Sequence, residues 1–324
     1  MSDARDRVTV IMPVYAAEFV GDAVASVLAQ TRPADEVIVV DDGSPDGAAI
    51  DHVVARVGAR VKLLRQENAG AAAARNAGLM AATSEWIAFL DADDQWRPDF
   101  LERQMAFLRA NPSVDLVWAD ATIVGDTPAA GRTFMSMCPS AGPVTLHSLL
   151  AQTCNVLTST VVVRRRLVVA AGSFDVALRR GQDFDLWLRL VSRGAQAAYQ
   201  EQTLAIRRLH GKNLSGTRLT ELERALHVFD KALATLPLTP SERHAATRRV
   251  HELHGELARE NGKARLASGD FAAAFHFLDQ AARTLPGWKI RAARLGVRFV
   301  PTLMRRLYLS RVVHALATAA AAAV

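Results

Sequence analysis

The chain has 324 residues, 39 Lys and Arg against 33 Asp and Glu, half its residues apolar and two cysteines. That is material for one large domain or two ordinary ones with a sizeable core, and it excludes disordered and collagen-like classes. Cys138 and Cys154 cannot make a disulfide framework or a zinc site, MSDARDR carries no secretory signal, and no stretch reaches roughly 18 uninterrupted apolar residues, so the expectation is a cytoplasmic protein, soluble or peripheral at the inner face of a membrane.

Residues 8–120 alternate between apolar runs and helix-like stretches. VTVIMPVY (8–15) predicts a strand, and Val20, Val24, Val27 and Leu28 recur at helical spacing. EVIVVDDGS (36–44) predicts a buried strand that stops at Asp41, Asp42 and a glycine. A helix over 46–57, a short strand VKLLRQ (61–66), a Gly/Ala-opened helix over 70–82 and a strand WIAFLDADD (86–94) follow. DLVWAD (115–120) and NVLTSTVVV (155–163) predict further strands. Unbroken runs such as VIVV and WIAFL suit strands covered on both faces, hence an α/β, largely parallel sheet with helices on each side. DFDLWLRL predicts the start of a helix with Leu186, Trp187 and Leu190 inward. From about residue 217 the pattern is wholly helical, and ALHVFDKALATLP (225–237) is echoed by AFHFLDQAARTLP (274–286). Two copies fall short of a solenoid, so a small helical appendage, weakly tetratricopeptide-like, is expected.

The acids fall in an informative place. Asp41 and Asp42 follow one strand; Asp91, Asp93 and Asp94 follow another. In an open α/β sheet ligands bind beyond the carboxyl ends of the strands. Either cluster alone is also what a simple turn would use; two of them, each ending a buried strand, weaken that alternative. Carboxylates separated by one residue suit a hard cation, Mg²⁺ or Mn²⁺, which takes one or two carboxylates plus water and a substrate phosphate. Neither a GxxxxGK[ST] loop nor a GxGxxG fingerprint is present, so phosphate handling falls to a cation.

VIMPVY, EVIVVDDGSPD, NAGAAAARNAGL and WIAFLDADD, in that order, closely resemble the family 2 glycosyltransferases of the GT-A fold. GSFDVALRRGQDFDLWLRL (172–190) and RRLHGKNLS (207–215) resemble the acceptor-side half of the same family. The resemblance covers about residues 8–216. It implies a GT-A-like, mixed but mainly parallel nucleotide-binding sheet over residues 1–216 and a helical C-terminal extension over 217–324. It further implies a metal-dependent, inverting transfer of a sugar from a nucleoside diphosphate sugar, a UDP-sugar by default, to a hydroxyl of a saccharide or lipid-linked acceptor. Pro13, Val14 and Tyr15 would form the first nucleotide-contacting loop, Asp42 would hydrogen-bond the base, and Arg75 would sit near the nucleotide and diphosphate. Asp91 would approach the ribose or metal, Asp93 would ligate the metal, and His210 would reach the metal or diphosphate. Asp183 matches the general base, with Gln182 where the family usually has Glu.

Each assignment has a plainer competitor. Asp183 also suits a helix N-terminus, where acids are favoured, and both roles are compatible. Arg75 fits a solvated helix face, and a single histidine such as His210 is as often structural as liganding. His251 and His254 lie in an Arg/Glu-rich helix and read as solvated. Gln182 admits a non-catalytic, transferase-like scaffold whose tail binds a partner or membrane. A nucleotidyltransferase is a further alternative, but its Gly-rich, Lys-containing N-terminal loop is missing.

The basicity of the chain belongs to its tail. After Asp279 there is no acid, yet Arg283, Lys289, Arg291, Arg294, Arg298, Arg305, Arg306 and Arg311 follow. Arg291, Arg294, Arg298 and Arg305 are expected on one helical side, with Phe299, Val300, Leu303, Met304 and Leu307 on the other and Pro301 kinking or dividing the helix. Such a pattern suits either a peripheral membrane contact or a helix packed on the body with its arginines in water. No nucleic-acid-binding module accompanies the basic stretch, so none is expected to bind.

Overall fold

The structure, a computed structural model, describes residues 6–16, 18–178, 180–210 and 218–310. Arg179, the 211–215 part of RRLHGKNLS, Arg311 and the alanine-rich end therefore lie outside the described residues. The chain forms two compact units, one of Met1–Gly125 with Ala129–Leu209 and one of Asp126–Pro128 with His210–Val324.

The first unit holds strands β1 (Val8–Val14), β2 (Glu36–Asp41), β3 (Lys62–Arg65), β4 (Trp86–Phe89), β5 (Gln95–Trp96), β6 (Leu116–Gly125), β7 (Val162–Arg164) and β8 (Ala197–Leu209). Its helices are α1 (Val20–Leu28), α2 (Gly47–Val57), α3 (Ala71–Ala81), α4 (Phe100–Ala110), α5 (Phe134–Met137), α6 (Leu146–Leu150), α7 (Arg165–Ala170) and α8 (Gln182–Ser192). Among the described residues these strands make one sheet in the order β3-β2-β1-β4-β7-β6-β8-β5. β3, β2, β1 and β4 are parallel, β7 is antiparallel to β4 and β6, and β8 runs parallel to β6.

Both faces of the parallel part are covered, as the apolar runs require. Alternate residues of a strand point to opposite faces. Val8, Val10, Met12 and Val14 join one core with Val20, Ala23, Val24 and Val27 of α1, Ile50 of α2 and Phe100, Leu101 and Met105 of α4. Ile11 points the other way, onto α3. There a Cβ on Gly78 would stand 2.5 Å from Ile11 Cγ2, so only a hydrogen lets the helix approach this closely. Phe89, paired in register with Ile11, packs edge-on against Phe174 (ring centroids 5.3 Å apart) and at a tilt against Trp187 of α8 (6.4 Å). Leu186, Trp187 and Leu190 are buried as expected.

Two expectations are corrected here. Residues 155–163 are not one strand: Thr158–Thr160 form a 3₁₀ turn and only Val162–Arg164 pair in the sheet. Hydroxyl side chains offer the backbone an alternative to the ladder, and Thr160 Oγ1 donates back to Leu157 O at 2.8 Å. The thirteen-residue β8 had no sequence signal, because AAYQEQTLAIRRL has no unbroken apolar run and is half-buried for most of its length.

The second unit contains α9 (Arg218–Thr235), α10 (Pro240–Ser268), α11 (Phe271–Thr284), α12 (Trp288–Phe299) and a helical run over 301–310. α10 starts at a capping box, with Thr239 and Glu242 each bonding the other's backbone and Pro240 in the first turn. The echoed segments fall on α9 and α11, which both pack on α10. Gly255 and Gly262 of α10 let α11 come close, since a Cβ at either would meet Thr284 or Leu278 below 3 Å. His251 and His254 are exposed on α10. Val300 interrupts the helix and Pro301 starts the next one, so the proline divides rather than bends. Arg294 and Arg305 do not share a solvent face with Arg291 and Arg298. Arg294 pairs with Asp279 at 3.0 Å and Arg305 Nε donates to Ala267 O at 3.0 Å. Met304 likewise turns into the helical core.

Candidate active site

Parallel pairing brings the carboxyl ends of β1, β2 and β4 to one edge. In register, Pro13 stands beside Val40 and Val14 beside Asp41, while Ile11 pairs with Phe89 just before Leu90 and Asp91. Tyr15, beyond β1, is 55% exposed. Asp42 N–H donates to Val14 O at 2.8 Å and Gln66 N–H to Asp41 O at 3.0 Å, so the ends of β1, β2 and β3 are tied together.

Asp42 is buried, and its carboxylate organises the approach to α3. Oδ1 accepts from Gln66 Nε2 at 2.7 Å and from Ala69 N–H at 2.9 Å; Oδ2 accepts from Gly70 N–H at 2.8 Å. Gly70 caps α3 with φ of 91°, a conformation that L side chains rarely adopt. A carboxylate offers about four acceptor positions, so the three donors leave one for a further N–H.

One turn into α3, Arg75 is buried, and its Nη2 binds Asp91 Oδ1 at 2.5 Å. Its Cζ lies 5.5 Å from the centroid of the Phe174 ring, and Nε and Nη1 have no hydrogen-bond partner among the described residues. It is therefore not the solvated surface arginine that the plainer alternative describes. Asn76 makes a two-way bond with the Phe174 backbone (2.8 and 2.9 Å), and Arg189 of α8 holds Ala171 O and Ser173 O at 2.6 and 2.7 Å. The turn before α8 is thus pinned from both helices.

The loop after β4 separates its three acids. Asp91 is held by Arg75, and Asp93 is half-buried. Asp94 is buried, hydrogen-bonded to Ser159 Oγ at 2.6 Å and accepting Arg208 N–H at 2.8 Å. Burial first, then the charges of Asp93 and Asp91, push the Asp94 carboxyl up to about 8. An unfolded aspartate titrates near ~3.9, so from about pH 4 to about pH 8 the folded chain carries the extra proton and its stability falls as pH rises. Asp94→Asn mimics the protonated acid, with its oxygen for Arg208 and its amide for Ser159. In the absence of divalent cations, the melting temperature of this variant is expected to gain on that of the wild type as pH rises across this window. A constant difference would refute the assignment.

Asp183 lies in the first turn of α8, after Gly181 in the left-handed region (φ 75°). Its Oδ2 accepts from Thr158 Oγ1 at 2.8 Å and its Oδ1 from Phe184 N–H at 2.8 Å. Ser159, the next residue of the turn, accepts Asp91 N–H at 3.3 Å besides bonding Asp94. The turn is fixed from outside as well: Trp96 Nε1 donates to Ser159 O and Gln104 Nε2 to Thr160 O, both at 2.7 Å. The acids after β4 and Asp183 therefore rest on adjacent residues of one turn. A continuous series of contacts runs from Asp42 through the start of α3, Arg75, Asp91, Ser159 and Thr158 to Asp183. Gln182 is buried, and its Oε1 has no partner among the described residues. A glutamate in this setting would be a buried, unpaired charge, which is strongly disfavoured.

Residues 9–168 match the profile of glycosyl transferase family 2. A UDP-Glc:alpha-D-GlcNAc-diphosphoundecaprenol beta-1,3-glucosyltransferase of Escherichia coli, WfgD, is 31% identical over 68% of this chain and 85% of its own. The chain belongs to glycosyl transferase family 2. The transferase is also 29% identical to the putative teichuronic acid biosynthesis glycosyltransferase TuaG of Bacillus subtilis, over 71% of this chain and 89% of that one. Against a glycosyltransferase of Rickettsia conorii it aligns over only 34% of the relative's length. Its fold is GT-A: it superposes on S. aureus TarS 1-349 in complex with UDP-GlcNAc (TM-score 0.64, 18% identity, 93% of this chain and 90% of that one). It superposes equally on the mannosyltransferase PcManGT of Pyrobaculum calidifontis in complex with GDP-Man and Mn²⁺ (TM-score 0.63, 21% identity, 96% and 87%).

The transferase thus brings Pro13, Val14, Tyr15, Asp42, Arg75, Asp91 and Asp93 to one edge, with Asp183 joined to it through the turn. His210 follows the last residue of β8, where the second unit begins. No group of three His, Cys, Asp or Glu among the described residues forms a ready-made metal cage. The oxygen donors at the edge nevertheless fit a hard cation that shares its shell with a phosphate. Asp94 is withdrawn by burial and Asp91 pairs with Arg75, while Asp93 stands half-buried at the same edge; Mg²⁺ sites commonly use one or two carboxylates. Sequence reasoning missed Thr158, Ser159 and Arg208. Arg208 binds Asp94, donates from Nε to Asp93 O at 3.3 Å, and stacks over Phe19 at 4.5 Å.

Proposed function

We propose that the transferase moves a sugar from a nucleoside diphosphate sugar, a UDP-sugar by default, to a hydroxyl of a saccharide or lipid-linked acceptor in cell-envelope polysaccharide synthesis, with inversion at the anomeric carbon. The observation that carries this is the unbroken contact series from Asp42 to Asp183, which joins a base-binding end to a proton-accepting end. Pro13, Val14 and Tyr15 line the nucleotide, and Asp42 offers its remaining acceptor position to the base. Asp91, fixed by Arg75, faces the ribose or metal, and Asp93 holds Mn²⁺ or Mg²⁺. When bound, that cation supplies neutralising charge for the diphosphate leaving group.

Asp183 accepts the proton of the acceptor hydroxyl as its oxygen bonds the anomeric carbon and the bond to the diphosphate oxygen breaks. A general base must lie within hydrogen-bond reach of the proton it takes, and Thr158 holds one oxygen of Asp183 in a fixed direction. The WfgD and TuaG similarities support an envelope saccharide acceptor, and the E. coli enzyme's name specifies a diphosphoundecaprenol-linked one. No described helix is long and apolar enough to cross a membrane; a cytoplasmic site of action is part of the proposal.

A thermal-shift screen of nucleoside diphosphates and their sugars, with and without Mn²⁺, tests the donor half, because a ligand that binds only the folded state raises its melting temperature. A rise for one nucleotide that requires the cation is expected. No shift with any nucleotide sugar would favour the non-catalytic scaffold, and pyrophosphate release from a nucleoside triphosphate would favour a nucleotidyltransferase.

A further inference from the structure

We infer that the C-terminal helices carry a face that lies on anionic bilayers. Within the second unit, α12 has two apolar stripes on opposite sides. Ile290 and Val297 are buried in the helical core with Leu266, Leu278 and Ala281. Trp288, Leu295 and Phe299 stand away from it at 74%, 46% and 72% exposure. At 3.6 residues per turn, these three positions fall within about 20° of one line along the helix. The run over 301–310 repeats the division: Met304 and Tyr308 pack inward, while Leu303 and Leu307 are half exposed. Among the described residues, seven of the eleven exposed large apolar side chains fall between Trp288 and Leu309. Single exposed leucines are ordinary, but such concentration marks an interaction surface.

Charge decides the occupant. Lys289, Arg291, Arg298 and Arg306 are exposed alongside these apolar residues, and no acid follows Asp279. Asp279 is itself paired with Arg283 at 2.6 Å and Arg294 at 3.0 Å. A second copy of this chain meeting the face about a twofold axis would set these cations against one another. Nucleic acid would satisfy the cations but leave Trp288, Leu295 and Phe299 in water. An anionic lipid surface satisfies both, taking indole and phenyl rings at the headgroup level and cations at the phosphates, without shape complementarity. With no described helix long and apolar enough to span, the contact lies in the interface plane.

Sedimentation of the 324-residue chain with vesicles tests this without reference to catalysis. One set is phosphatidylcholine; the other mixes phosphatidylcholine with phosphatidylglycerol. The protein is expected to pellet with the mixed vesicles at low salt and to stay in solution with phosphatidylcholine alone. Near an anionic surface each basic residue changes partition roughly fivefold, so Lys289→Glu with Arg291→Glu is expected to weaken it by at least about tenfold. Trp288→Ser with Phe299→Ser is expected to release the protein as well, with its melting temperature unchanged because both side chains project into solvent. Wild type remaining in the supernatant with mixed vesicles would overturn the inference. So would undiminished binding by the Trp288 and Phe299 variant, which would leave a charge-only association of the kind any polyanion supports. A wild-type dimer that dissociates in the same variant would assign the face to a second copy instead.

Discussion

Asp183→Asn is expected to leave Mn²⁺-dependent nucleotide binding intact while sugar transfer falls by about 10²–10⁴-fold, the contribution of a positioned general base. The amide keeps the shape of the carboxylate; its oxygen can accept from Phe184 N–H while its NH2 donates to Thr158 Oγ1, so α8 and the turn beneath it stay in place. What the variant loses is the capacity to take a proton. Steady-state assays over a range of donor concentrations separate these effects, since a fall in kcat without a change in donor KM marks an interaction used after the donor has bound. Near-normal turnover would remove Asp183 from the mechanism. Thr158→Val bears on the same step more gently: it removes the hydroxyl that aims Asp183 Oδ2, so kcat falls while donor KM holds, and Thr158→Ser restores it. If Val and Ser behave alike at 158, the hydroxyl has no part in aiming the base.

Asp93→Ala is expected to abolish the cation-dependent part of nucleoside diphosphate binding. Of the three acids after β4, Asp94 is buried and pushed toward its neutral form, and Asp91 answers Arg75, so no neighbour can take over from Asp93 without breaking a contact of its own. Calorimetric titration of a nucleoside diphosphate with and without Mn²⁺ reads the loss directly. Affinity that stays cation-dependent in the variant would move the metal away from Asp93. Asp94→Asn is the matched control, since it alters the same loop yet preserves both hydrogen bonds and the ionised neighbours.

Much of the site was legible because its acids follow strands whose residues are apolar without interruption. VIVV and WIAFL have no polar residue to spare for solvent, so they must be central, and residues just beyond a central parallel strand meet at one edge whatever the loops do. The resemblance then attached roles to Asp42, Asp93 and Asp183. The buried face of α8 was equally plain, from the spacing of Leu186, Trp187 and Leu190.

Local pattern could not show which hydroxyls and amides would meet across long stretches of chain. TSTVVV has the composition of a strand, yet Thr158 and Ser159 leave the ladder because Asp183, Asp94 and the indole of Trp96, distant in sequence, supply better partners than a neighbouring strand would. The three acids of LDADD are equivalent on paper and become distinct only when Arg75 claims one and burial neutralises another. In the tail, composition established a basic, apolar-rich segment. Packing against α10 and α11 determined which arginines turn inward and which aromatic rings are left to solvent. The sequence alone therefore determined the parallel core of the sheet, the edge where its strands end and the acids gathered there, since these follow from hydrophobic runs and the residues that end them. Tertiary structure alone decided which acid is charged, which is aimed and by what, because those properties arise from burial and from hydrogen bonds between residues far apart in the chain.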